Sequence, residues 1–134
     1  FMTWPAGSHG STCGGNPVCI AAALATLDLL ESNLLDNATR VGDAIRTGLA
    51  AALAGVKGVV AVRGMGLMLG IELDRPCGEL AQRALDAGLL INVTADKIVR
   101  LLPPLSMNQD ESRQLVDMLS ALIRDFLSQP TPAH

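Results

Sequence analysis

Tyrosine is absent from the 134 residues, and aromatic residues of all kinds make up only 2% of them. A core must therefore be built from Leu, Ile, Val, Ala and Met, which suits helices packed on a small sheet. No run of basic residues occurs, and the net charge is −3. That removes the electrostatic footprint that nucleic-acid binding requires. The charges are scattered singly, as on a solvated surface. Cysteine is scarce: Cys13, Cys19 and Cys77 are odd in number, and their spacing fits no zinc pattern. They read as reduced thiols of a cytoplasmic protein, with Cys19 a small core residue in an apolar stretch. No segment approaches the ~20 apolar residues needed to span a bilayer, so no membrane segment is expected. Residues 1–7 carry neither the positive charge nor the apolar run of a signal peptide. The chain opens on Phe1 and passes at once into a turn-rich stretch, so it reads as a piece of a longer protein.

What is present is 49% hydrophobic residues in a length that suits one domain with a buried core. Residues 5 to 17 are loop material, with Pro5, Gly7, Gly10, Gly14, Gly15, Asn16 and Pro17. From Val18 to Leu30 the chain is Ala- and Leu-rich, which predicts a helix capped by Asn16 with Pro17 in its first turn. Leu34, Ala38, Val41, Ile45, Leu49 and Leu53 recur every three or four residues and predict a second helix that stops at Gly55. Val59–Val62 and Leu67–Leu73 flank Gly64-Met65-Gly66 and read as a hairpin. The second run is almost continuously apolar and is expected to be buried on both faces. A short helix over 77–87, strands over 89–93 and 98–102, and a last helix started by Asn108 or Asp110 complete the chain. Leu115, Met118, Leu119, Leu122, Ile123 and Phe126 form the apolar face of that last helix. This order predicts an α+β fold: a small, mostly antiparallel sheet with helices on one face.

Two places could carry chemistry. In His9-Gly10-Ser11-Thr12-Cys13-Gly14-Gly15-Asn16-Pro17, two hydroxyls and several glycines precede a helix start, where free N–H groups and the helix dipole favour an anion. The stretch reads either as a phosphate or carboxylate site made by Ser11 and Thr12 or as an ordinary capped helix after a loop, the commoner arrangement. His9 has no identifiable acid or nucleophile partner. Arg100, inside the apolar strand Val99-Arg100-Leu101-Leu102-Pro103-Pro104, reads either as a carboxylate clamp or as a structural ion pair at a sheet edge. Gly64-Met65-Gly66 is not a dinucleotide loop, because the third glycine would fall at Leu69 and a strand follows where a helix is needed. Lys57 and Lys97 are the only lysines. Each reads either as an imine partner for pyridoxal phosphate or as an ordinary surface lysine, the commoner case.

Taken together, four segments resemble the class III (subgroup II) aminotransferases. They are residues 10–17, Val62-Arg63-Gly64-Met65-Gly66-Leu67-Met68-Leu69-Gly70-Ile71-Glu72-Leu73, Ala87-Gly88-Leu89-Leu90-Ile91-Asn92-Val93, and Val99-Arg100-Leu101-Leu102-Pro103-Pro104-Leu105. Their order and separation match that family over nearly the whole chain. The resemblance implies the C-terminal part of a pyridoxal-phosphate-dependent transferase of fold type I, α/β by family class. Residues 1–16 would be a loop from the large-domain side, 17–54 the interdomain helices, 55–128 the C-terminal small α/β domain and 129–134 a disordered tail. It implies amino transfer from N-acetylornithine or a related ω-amino acid to a 2-oxoacid, 2-oxoglutarate, within arginine biosynthesis, by a cytoplasmic homodimer. Thr12 would bind the cofactor phosphate of the partner subunit, Ser11 would lie at the substrate, and Arg100 would face the substrate α-carboxylate. Two departures stand out. Cys13 replaces a usual aromatic, and the family's Schiff-base lysine, pyridine-nitrogen aspartate and ring-stacking aromatic all precede the Ser-Thr loop, outside this stretch. Lys57 and Lys97 follow that loop and inherit no catalytic role, so the chain by itself is expected to be inactive. Two other classes remain: a non-catalytic dimerisation fragment, and an amino-acid-binding regulatory domain, against which the phosphate-type loop argues.

Overall fold

The computed structural model describes residues 3–5 and 7–129. It forms two compact units, Phe1–Asn33 and Leu34–His134. In the first, α1 (Pro17–Leu29) begins where expected. Asn16 Oδ1 accepts hydrogen bonds from the Val18 and Cys19 N–H groups at 2.9 and 3.3 Å, and Pro17 occupies the first turn. No residue of α1 is buried, and its apolar residues do not gather on one side. Cys19 is therefore exposed, not a core residue. An Ala-rich helix with apolar side chains all round needs cover on every side, and this unit supplies none. The expectation about membrane-length segments is corrected as well. The helical segment Pro17–Ala52, 36 residues long, is sufficiently long and apolar to cross a bilayer by length and composition alone. The two helical stretches read separately from sequence join through a π-helical turn into one segment, which is why its length was missed.

The second unit carries the core. After a π-helical turn (Leu30–Leu34) comes α2 (Leu35–Ala52), which buries Val41, Ile45 and Leu49. The spacing of the apolar stripe is thus realised as packing. The strands are β1 (Val59–Met65), β2 (Met68–Leu73), β3 (Asn92–Thr94) and β4 (Ile98–Leu101). They form one sheet in the order β1-β2-β4-β3, and every pairing is antiparallel. Gly66, at φ 52°, takes the first position of the tight β1–β2 turn, where a side chain would be strained. α3 (Glu79–Asp86) and α4 (Gln109–Ser128) complete the fold. Asn108 and Glu111 close a capping box at the start of α4. Gln129 ends that helix. The rest of the expected tail, residues 130–134, lies outside the described residues.

Leu69, Ile71 and Leu73 of β2 and Val99 and Leu101 of β4 point inward to meet Val41, Ile45 and Leu49 of α2 and Leu119, Ile123 and Phe126 of α4. The helices cover one face of the sheet, as the α+β reading requires. β2 corrects one expectation: its residues alternate between buried and less buried, so it is covered on one face only. Gly70 and Glu72 face the other way. Neither lends β2 an apolar second side. β3 is also shorter than expected and omits Leu89 to Ile91.

Candidate functional site

The Ser-Thr loop is built by short-range hydrogen bonds. Ser11 Oγ accepts from the Gly14 N–H at 2.9 Å and from the Cys13 N–H at 3.3 Å, which curls the loop toward the helix start. Among the described residues its hydroxyl proton has no acceptor. Thr12 Oγ1 lies 3.9 Å from Cys13 Sγ, a weak contact, and its side chain is exposed. The first N–H groups of α1 are not open to a ligand, because Asn16 holds those of Val18 and Cys19. The expected free helix start is thereby corrected: the hydroxyls are what the loop can offer an anion. His9 lies against the Trp4 ring with centroids 3.9 Å apart. The loop's donors suit a phosphate. Nothing in it suits the ring of a pyridine cofactor or a covalent bond to one.

Arg100 belongs to the other unit. Val99 and Leu101 on either side of it are buried, so strand alternation turns Arg100 onto the uncovered face of the sheet, where it is exposed. Among the described residues no salt bridge engages it. Of the two readings open from sequence, a structural ion pair therefore has no partner here, and a guanidinium is left presented on a strand. The register sets its neighbours. Arg100 pairs with Gly70 on one side and with Asn92 on the other, and Gly70 pairs in turn with Arg63 of β1. Arg63 Nη1 is bound to Glu72 Oε2 on the same face. Sequence reading passed over Arg63, Gly70 and Asn92 as site residues. The signal was available in part: a two-residue turn after Met65 fixes Arg63 opposite Gly70 once the hairpin is accepted. Lys57 and Lys97 are both exposed.

Residues 1–123 match the aminotransferase class-III family. The chain belongs to that family. It is 57% identical over 124 residues to acetylornithine aminotransferase 1 of Bordetella bronchiseptica, covering 92% of this chain and 32% of the relative. With acetylornithine aminotransferase of Nitrosomonas europaea the identity is 47% over 122 residues, covering 90% of this chain and 31% of the relative. Among solved structures, ornithine aminotransferase of Toxoplasma gondii superposes with a TM-score of 0.85 at 29% identity, covering 95% of this chain and 31% of that one. Acetylornithine aminotransferase of Elizabethkingia anophelis superposes with a TM-score of 0.80 at 31% identity, covering 92% and 34%. This class-III chain thus spans about a third of the length of its relatives. The α+β arrangement read from sequence is the fold these aminotransferases share over the matched region.

Proposed function

We infer that the protein to which this chain belongs is a pyridoxal-phosphate-dependent aminotransferase of the acetylornithine type. It would move the terminal amino group of N-acetylornithine, or of a close ω-amino relative, to 2-oxoglutarate in arginine biosynthesis, as a cytoplasmic homodimer. The observation that carries this reading is the 57% identity with an acetylornithine aminotransferase over 92% of the chain.

The residues divide the work by chemistry. Thr12 would anchor the cofactor phosphate of the partner subunit with its hydroxyl, and Ser11 would offer its O–H proton to the substrate side. Arg100 would hold the substrate carboxylate through its planar fork. When bound, the cofactor supplies the electron sink, while protein groups supply orientation and charge. The exposed apolar surface of α1, with Val18, Ile20, Leu24, Leu27 and Leu29 uncovered, fits a helix that packs against the remainder of such an enzyme better than one in lipid. No nucleic acid and no membrane enter this reading.

The test is an amino-transfer assay of the full-length protein with pyridoxal phosphate and 2-oxoglutarate, run against acetylornithine, succinylornithine, ornithine and 4-aminobutyrate. Glutamate formed fastest from acetylornithine is the expected result. Glutamate from none of the four amines would refute the reading.

A further inference from the structure

We propose that Asn37 is a positioning residue: its amide clasps the loop that follows β4 and so fixes the end of the strand that presents Arg100. The inference rests on the reading of Arg100 as a carboxylate clamp and adds the side chain that holds the clamp's strand in place.

Arg100 stands next to the end of its ladder. The pairing of β2 with β4 stops at Leu101, and the pairing of β3 with β4 stops at Arg100 itself, opposite Asn92. Pro103 and Pro104 follow, and proline has no N–H with which to extend a ladder. Strand ends of this kind fray unless the chain beyond them is tied down. Inside the loop, the Met107 N–H donates to the Pro104 carbonyl at 3.0 Å, which closes a turn but joins loop residues only to each other.

The tie comes from α2. Asn37 is the third residue of that helix, and asparagine is a poor helix former whose amide seeks bonds elsewhere. Here the amide is spent on the loop. Asn37 Nδ2 donates to the Leu105 carbonyl at 2.7 Å and to the Met107 carbonyl at 2.9 Å. Arg40 Nη2 donates to Asn37 Oδ1 at 2.7 Å. Both donor hydrogens and the oxygen are thus engaged, which fixes the way the amide faces. Ala38 and Met107 pack against the core beside it, so the bond to Met107 is partly shielded from water. Met107 immediately precedes the Asn108 cap of α4. One side chain therefore holds the loop at its middle and at its far end. A reacting group misplaced by about 1 Å can cost on the order of 100-fold in rate, so the anchoring of this strand end bears on catalysis.

The experiment is steady-state kinetics of the full-length protein with acetylornithine and 2-oxoglutarate, comparing Asn37→Asp, Arg100→Ala and the double variant. Asn37→Asp is nearly isosteric and still accepts from Arg40, but it can donate to neither carbonyl. KM for each substrate is expected to rise on the order of 10-fold with kcat within about twofold, since the clamp binds ground state and transition state alike. Asn37→Ala, which favours the helix and adds no charge, should act in the same direction. A retained melting temperature shows that each variant is folded. The double variant separates positioning from a general structural role: with Arg100 already removed, Asn37→Asp should cost nothing further. Unchanged KM in both Asn37 variants, or the same loss from Asn37→Asp in the Arg100→Ala background, overturns the inference and leaves Arg100 in its role. If Arg100→Ala alone leaves the kinetics unchanged, the clamp reading fails and the inference with it.

Discussion

Cys77 is the buried thiol of the chain, whereas Cys13 and Cys19 are exposed. Burial raises the Cys77 pKa above its ordinary value, and the nearby charge of Asp96 adds to the rise. The folded state thus holds the proton where the unfolded state has already lost it. Stability from this group is complete below the ordinary thiol value of 9.0 and falls as pH rises beyond it. Denaturant melts between pH 8 and pH 10 should therefore show an alkaline loss of stability that is smaller in Cys77→Ala than in the parent chain. A thiol reagent at neutral pH should label two cysteines per chain quickly, and the third only on unfolding. Cys19 shows where residue-level reading stopped: its Ala-rich surroundings look like core, but whether a helix is covered depends on what packs on it. Arg100 was legible as a charge inside an apolar strand, and the burial of Val99 and Leu101 in the fold is what turns it outward.

At the scale of the element, local signals carried the helix boundaries. Asn16 and Pro17 mark the start of α1, and the Asn108–Glu111 box marks the start of α4. The β-strands were legible as runs but not as faces, because Leu67 to Leu73 gives no hint that helices cover only one side. The partners of Gly70 were equally hidden, since pairing register is a property of two strands. Another such property is the approach of α2 to the hairpin. A Cβ placed on Gly42 would lie 2.0 Å from the Gly66 carbonyl oxygen, so backbone meets backbone there. Gly42→Ala gains helix propensity of about 1 kcal/mol but must push the turn away, at a typical overpacking cost of about 1–3 kcal/mol. A net loss of stability in urea unfolding is expected; a gain would show that the turn yields freely. α3 is tied to α4 through Arg83, which meets Asp125 at 3.0 Å and Gln129 at 2.7 Å and lies over the Phe126 ring.

For the whole molecule, one unit offers the hydroxyls of Ser11 and Thr12, and the other offers the exposed guanidinium of Arg100, which forms no salt bridge among the described residues, and two exposed lysines. Borohydride reduction of the chain with pyridoxal phosphate should leave no dominant single-site adduct by peptide mapping. Stoichiometric trapping at Lys57 or Lys97 would move the reaction centre into this chain. The fold was readable from the order of helices and strands, and the family from the resemblance of four segments in register. The full exposure of α1 was not, since whether a helix is covered depends on what packs on it. The central claim is that Arg100 clamps the carboxylate of both amino-acid and 2-oxoacid substrates. It is tested most directly by stopped-flow kinetics of the two half-reactions in the full-length enzyme carrying Arg100→Ala. Removing a charged hydrogen-bonding partner costs about 1.5–3 kcal/mol, so the second-order rate with acetylornithine and with 2-oxoglutarate should each fall on the order of 10- to 100-fold. Rates unchanged for both substrates would contradict it.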